Sequence, residues 1–310
     1  MLTMNDVLRA RRVLARHLPP TPSWSYPLLD EVAGRRLVVK HENAQPTGAF
    51  KVRGALNLLA CLDEPADGST DEPVVTYSTG NHARAIAYAA REYGRRATVV
   101  MPAAAPELKV RAVEALGATV LRHGRNMADA EALAQTLPGR LVSPGDEPEL
   151  IAGVATAYLE LFERHPGLDT VVVPVGSGTG AAAACLVAAA LVPGCRVIGV
   201  QSAAAPAAHD SWRAGECVHR DNRTRVDGLA TGRGFAGPQA ILRERLADFV
   251  LVADDAIDEA RRLLAGRAGT QAEGAGAAAL AAVLARPELM GSAVGVVVTG
   301  ANATELELAR

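Results

Sequence analysis

The stretch TVVVPVGSGTGAAAACLVAAAL, Thr170–Leu191, changes character twice. It opens on an unbroken β-branched run, the pattern of a strand covered on both faces. A glycine-rich turn follows, Gly176-Ser177-Gly178-Thr179-Gly180, and then an alanine-rich helix is expected over 180–191. Glycines between a buried strand and a helix let backbone N–H groups approach a phosphate at the positive helix end. A dinucleotide-binding loop looks similar, but it needs G-x-G-x-x-G and an acidic residue closing the next strand. Here Ala stands at 181, and the next strand, RVIGVQ, ends in Gln201. The Walker A pattern also fails, because no lysine follows the glycines.

The alternation extends in both directions. Other β-rich runs end at Lys40 (RLVVK), Ser78 (VVTYS), Met101 (ATVVM), His123 (ATVLRH) and Gly300 (VGVVVTG). Helical stretches are read at 54–61, 80–92, 107–116, 127–136, 152–165, 255–264 and 273–284. Strands alternating with helices argue for an α/β architecture with mostly parallel sheets. The polar run DEPADGSTDE, 63–72, reads as a surface loop, and 214–233 reads as a second, longer loop of the kind that often carries function. A chain of 310 residues suggests about two domains, with a division near Gly145.

Composition narrows the function classes. Lys plus Arg is 32 against 34 Asp plus Glu, a formal charge of −2, so no basic excess exists to attract nucleic acid or an anionic membrane. Aromatics are 4%, too few for a base-stacking platform. Cys61, Cys185, Cys195 and Cys217 show no C-x-x-C spacing, which argues against a zinc or redox site. The N-terminus has no continuous apolar segment of the secretory type, and the run 181–192 is too short to cross a bilayer. A soluble cytoplasmic protein with reduced thiols is expected. The only lysines are Lys40, Lys51 and Lys109, so a search for an amine nucleophile has three candidates.

Three further segments carry chemistry. In HENAQPTGAFKVRGALNLL, His41–Leu59, Lys51 follows Thr47-Gly48-Ala49-Phe50. An isolated lysine there would read as a surface residue starting a helix. The Gly-Ala-Phe approach instead favours a partly buried amine beside an aromatic ring, with the lowered pKa that Schiff-base chemistry needs. Lys40 and Lys109 read as solvated. In YSTGNHARAIAYAA, Tyr77–Ala90, a Ser-Thr-Gly-Asn turn opens a helix. Capping explains one such residue; four polar or Gly residues in succession suit a carboxylate site. In VGVVVTGANATELE, Val294–Glu307, Thr299 ends a buried strand and precedes Gly300 and Asn302.

In order and spacing, these four segments together resemble the fold-type II pyridoxal-phosphate enzymes, in the threonine/serine dehydratase branch that includes serine racemase. VDGLATGRGF, Val226–Phe235, and QAEGAGAAALAA, Gln271–Ala282, resemble the same branch. The resemblance implies a tryptophan synthase β-like α/β fold of two open twisted domains with the cofactor between them. It places a large cofactor-binding domain at 1–53 plus 147–310 and a small domain at 54–146. It implies that Lys51 forms the Schiff base with pyridoxal 5'-phosphate and acts as base at Cα. Phe50 would lie beside the ring, and Asn81 would hydrogen-bond the phenolic oxygen. Ser78, Thr79, Gly80, Asn81 and His82 would surround the substrate carboxylate, with His82 structural or orienting rather than catalytic. Gly176, Ser177, Gly178, Thr179 and Gly180 would cradle the phosphate. Thr299 would face the pyridine nitrogen, with Gly228 and Glu273 near the substrate and ring.

The chain also departs from that pattern. Ser177 and Thr179 interrupt a loop that is commonly four glycines, and Ala49 stands where Ser is frequent. Thr79 occupies the place of a racemase's second base, a Ser. Many relatives bind a divalent cation through a carboxylate just after a strand; Gln201 stands there, so no metal is expected. The sequence stops shortly after T-G-A-N, so feedback regulation through a C-terminal regulatory domain is not expected. The resemblance implies β-elimination from a hydroxyamino acid, threonine or serine first, to a 2-keto acid and ammonia. Alternatives are a 3-hydroxyaspartate-type substrate, amino-acid racemisation, or a non-catalytic relative that binds the cofactor or another phosphate ligand. A homodimer is expected.

Overall fold

The computed structural model describes residues 2–62 and 72–309, so the loop read at 63–72 lies, but for Glu72, outside the described residues. Among the described residues, ten strands form two sheets. The strands are β1 (Ser23–Trp24), β2 (Arg36–His41), β3 (Val74–Tyr77), β4 (Ala97–Met101) and β5 (Thr119–Arg122). They continue as β6 (Arg140–Val142), β7 (Thr170–Pro174), β8 (Arg196–Ser202), β9 (Asp248–Val252) and β10 (Ala293–Val298). The larger sheet runs β1-β2-β10-β7-β8-β9 and is parallel except for β1; the smaller runs β5-β4-β3-β6 and is parallel throughout. The expected α/β architecture is therefore present. The runs TVVVP and VGVVV are buried, as unbroken β-branched strands covered on both faces must be.

Strand order places the site. In the smaller sheet the chain moves from β3 outward through β4 and β5, then returns to β6 on the other side of β3. In the larger sheet it moves from β7 through β8 and β9, then returns to β10 on the other side of β7. Each reversal opens a crevice at the carboxyl ends of two strands, where open α/β sheets bind ligands. The turns after β3, β7 and β10 are the Ser78, Gly176 and Thr299 motifs.

Close helix packing fills the space between. Helix Thr179–Leu191 is buried from Thr179 through Ala188, and helix Gly274–Ala285 from Gly274 through Val283. Such alanine-rich helices lie against the strands with little side-chain volume between. Among the described residues, no helix is long and apolar enough to cross a membrane.

The sequence reading missed several elements. Strands β1 and β6 are short, and β9 opens on Asp248 inside a charged stretch. Helix Met4–Leu14 buries only Val7, Ala10 and Leu14, a stripe too narrow to stand out among four Arg and Asp neighbours. Helices Pro27–Ala33, Ala207–Ala214 and Ala236–Arg245 were likewise not expected.

Both lysines read as solvated are corrected. Lys40 is 1% exposed and pairs with Glu160, near Glu42 and Arg53. Arg53 uses all five of its N–H donors: Nε and Nη2 on Glu42 (2.8 and 3.0 Å), Nη1 on Glu160 and Thr156 (2.7 and 3.0 Å), and Nη2 again on Glu160 (2.9 Å). Two cations and two carboxylates thus neutralise one another beneath the helix that Lys51 begins. Lys109 is also paired, with Asp227.

Candidate active site

Every site residue named from the sequence lines one cleft of about 1540 Å³. That volume exceeds the usual range of roughly 300–1,000 Å³ for small-molecule sites, leaving room for a cofactor and an amino acid together.

Lys51 is the first residue of helix Lys51–Cys61, and the turn before it is stitched to β10. Phe50 N–H donates to Thr299 O at 2.9 Å, and Ala49 bridges Gly300. The Lys51 amine donates to Thr179 Oγ1 at 2.8 Å, with Ser177 Oγ at 3.3 Å and Pro144 O at 3.4 Å. All three partners are neutral oxygens. Burial without a carboxylate lowers its pKa to about 8, so a minor fraction of this amine is neutral near physiological pH, far more than for an ordinary lysine. The Phe50 ring centroid lies 5.4 Å from the amine.

The glycine turn suits close backbone approach. Gly178 has φ +97°, a conformation that a side chain would strain, and caps helix Thr179–Leu191. A Cβ on Gly176 would stand 2.3 Å from Gly228 O, so the turn packs directly against segment Asp227–Leu229. Gln201 supports it from behind. Its Oε1 accepts from the Ala208 and His209 N–H groups, both at 3.1 Å, while Nε2 donates to Thr231 Oγ1 at 3.2 Å. The Thr231 hydroxyl in turn donates to Gly176 O at 3.3 Å. The side chain expected to lack a metal-binding carboxylate therefore holds a helix start and the turn. Among the described residues, no group of three or more His, Cys, Asp or Glu is placed to hold a metal ion.

On the facing wall, Ser78 Oγ accepts from Gly80 N–H at 3.1 Å and shapes the turn before helix Asn81–Glu92. Ser78, Thr79 and Gly80 are half-buried at the cleft. His82 is 5% exposed, and burial together with the Lys51 charge lowers its pKa to about 3, so it is neutral. The Thr76 hydroxyl gives its proton to Val142 O at 2.8 Å and so accepts from His82 Nε2–H at 2.9 Å. His82 ties the turn to β3 and β6.

Asn81 donates to Glu273 Oε1 at 2.6 Å, and Glu273 is 8% exposed. Burial pushes the Glu273 carboxyl up to about 7. Thr299 is 4% exposed and lines the cleft, and among the described residues its hydroxyl has no hydrogen-bond partner.

The sequence reading left other lining residues unassigned. Arg84 lies one helical turn after Asn81, and Asn302 was quoted only as part of T-G-A-N. Spacing at i, i+3 from Asn81 was the available signal for Arg84. Pro144 follows the missed β6. Tyr77, Glu131 and Arg233 form a chain (2.7 and 2.8 Å) from three separate segments, and no local pattern announces it.

These donors fit an aromatic aldehyde that carries a phosphate. A desolvated amine stands beside a glycine and hydroxyl cradle at a helix start, and the Thr299 hydroxyl and an Asn81 N–H remain available for ring heteroatoms. Comparison with known proteins agrees. The chain is 35% identical over 306 residues to the L-threo-3-hydroxyaspartate ammonia-lyase of Saccharomyces cerevisiae, covering 97% of this chain and 93% of that protein. It is 34% identical over 307 residues to the L-threonine ammonia-lyase of Thermotoga maritima, covering 97% and 76%. The solved structure of maize serine racemase superposes with a TM-score of 0.93 at 30% identity, covering 99% of this chain and 95% of that one. The family model of pyridoxal-phosphate dependent enzymes matches residues 14–300, and with these relatives it shows that the chain belongs to that family.

Proposed function

We propose that this protein is a pyridoxal-phosphate-dependent ammonia-lyase that removes the β-hydroxyl of a hydroxyamino acid and yields a 2-keto acid and ammonia. The observation that carries the reading is the Lys51 amine, buried among neutral oxygens at the head of the glycine turn. Relatives named as ammonia-lyases for threonine and for 3-hydroxyaspartate support the reaction class.

When bound, pyridoxal phosphate supplies an electrophilic carbonyl for an amine and an electron sink for charge at Cα. Lys51 is the residue that would hold it covalently, and its amine, once free, would take the Cα proton. A pKa near 8 keeps that amine basic yet partly unprotonated, which proton abstraction needs. Gly176, Ser177, Gly178, Thr179 and Gly180 would hold the phosphate by N–H and hydroxyl donation at the helix start. The Thr299 hydroxyl would offer the ring nitrogen a neutral partner, which would favour loss of a β-substituent over long-lived charge at Cα. The turn from Ser78 to Asn81 offers hydroxyl and N–H donors to the substrate carboxylate, and neutral His82 orients it. In the net reaction the substrate loses its Cα proton and β-hydroxyl as water. Hydrolysis of the released enamine then consumes one water and gives the keto acid and ammonia. A large body of 1–53 plus 147–310, a small body of 54–146, a homodimer and a cytoplasmic location belong to the same proposal.

A keto-acid screen across L-threonine, L-serine and L-threo-3-hydroxyaspartate, with D-serine assayed in parallel, tests it. Keto acid from at least one hydroxyamino acid is the expected result. D-serine without keto acid would point to the racemase reading, which the maize relative supports, with Thr79 as the second base. A loaded enzyme that gives neither product would sink both. Gly176→Ala tests the cradle separately. The added methyl must displace Gly228 O, an overpacking cost of about 1–3 kcal/mol that weakens cofactor binding about tenfold or more in equilibrium dialysis.

A further inference from the structure

Asn81 is an amide, and an amide can face a ligand with its N–H or with its carbonyl. Its sense here is dictated from two residues away. Arg84 Nη1 donates to Asn302 Oδ1 at 2.6 Å, and a guanidinium has only donors. Asn302 Nδ2 donates to Thr47 O at 2.8 Å, and a backbone carbonyl only accepts. Both contacts fix Asn302 in the same orientation. Its remaining N–H then meets Asn81 Oδ1 at 2.7 Å. The Asn81 nitrogen is thereby turned to Glu273 Oε1, 2.6 Å away, and keeps one hydrogen for the cleft. A flipped Asn81 would set nitrogen against nitrogen at Asn302 and oxygen against oxygen at Glu273.

We infer that Asn302 and Arg84 are positioning residues that force Asn81 to present an N–H, not its carbonyl, to the cofactor. The inference rests on the cleft being the pyridoxal-phosphate site proposed above. Two observations support it independently of that reading. Arg84 is half-buried; among the described residues no carboxylate lies within ion-pair distance of it, Glu273 acts on it only at longer range, and its side-chain hydrogen bond goes to the Asn302 carbonyl. The turn carrying Asn302 is also pinned to the turn carrying Lys51, through Ala301 N–H on Gly48 O and Phe50 N–H on Thr299 O, both at 2.9 Å. The relay therefore sets the donor in the same frame that sets the amine.

The test is a double-mutant cycle on the holoenzyme, read by cofactor affinity and by the pH dependence of its visible band. Asn302→Asp keeps the shape and satisfies Arg84, but it puts an oxygen against both Thr47 O and Asn81 Oδ1. It is expected to weaken cofactor binding about tenfold and to shift the band's pH dependence. In an Asn81→Ala background the same change is expected to do neither, because coupled residues are non-additive. Arg84→Lys, which keeps a donor, is expected to retain affinity that Arg84→Met loses. If Asn302→Asp does not fold, Arg84→Met takes its place in the cycle. The inference is overturned if the variant binds with wild-type affinity and spectrum, or if the loss is as large with Asn81 already removed. A wild-type protein without a borohydride-reducible band would overturn the functional proposal itself, and this inference with it. A wild-type band beside an unaltered variant overturns the relay alone.

Discussion

A Lys51→Ala protein is expected to fold, to show no borohydride-reducible visible band and to lose keto-acid formation by about 10³-fold or more, since one side chain serves as both attachment point and base. Folding should survive because the amine's partners are two hydroxyls and a carbonyl, none of which is left as an unpaired charge. The pH dependence has a definite sign. Only the neutral amine captures the cofactor, so the reconstitution rate of apo wild type should climb with pH and level off above about 8, well below the ordinary lysine value of 10.5. The same depressed value means that the unfolded chain binds more protons than the folded one between these limits. Lys51 therefore adds stability to the apo protein as pH rises from about 8 toward 10.5, a contribution that Lys51→Ala lacks and that the difference between the two proteins isolates. Stopped-flow reconstitution and urea unfolding at several pH values check both. Normal keto-acid production by the variant would remove Lys51 from the chemistry.

The site was legible because its parts are local. Strand, small-residue turn and helix start each occupy a few consecutive residues, and parallel sheets bring such turns to one edge. Lys51, Asn81, Gly176 and Thr299 were all visible this way, and all line the cleft. What stayed hidden is non-local. Lys40 looked like a strand-end lysine in water because its partners, Glu42 and Glu160, come from the turn after β2 and from a helix far along the chain. Gln201 looked like a missing ligand, whereas its amide caps one helix and steadies the glycine turn through Thr231. Asn302 showed its type but not its orientation, which depends on Arg84 and Thr47. Strand β6 is three residues long and gave no period to read, so Pro144, which touches the Lys51 amine, had no assigned place.

The buried charges beneath Lys51 make the largest stability prediction. Arg53→Met removes one of the two cations from a pocket where Glu42 has no exposure and Glu160 little. Uncompensated buried charge is expensive, and breaking such a pair costs about 3–5 kcal/mol. Urea unfolding should show that loss, and the helix start that carries Lys51 should loosen with it, slowing cofactor capture in the molecules that remain folded. Adding Glu42→Gln removes the orphaned charge while leaving the Lys40–Glu160 pair, so the double variant should recover part of the loss. The pH dependence follows from the same contacts. Burial pushes the Glu42 carboxyl up, but the Arg53 charge and hydrogen bonds, with Lys40 and the Thr21 hydroxyl, outweigh it and hold the carboxyl below its ordinary 4.5. That stabilisation is complete above the ordinary value and is lost as the pH falls through the lower, folded one. In Arg53→Met the Arg53 contacts are gone while Lys40 and the Thr21 hydroxyl remain, so burial weighs more heavily, the Glu42 carboxyl rises relative to wild type, and protonation relieves the variant at a higher pH. The stability gap between wild type and variant should therefore narrow as acid is added. A gap below about 1 kcal/mol at neutral pH, the scale of an exposed pair, would show that solvent already screens these charges.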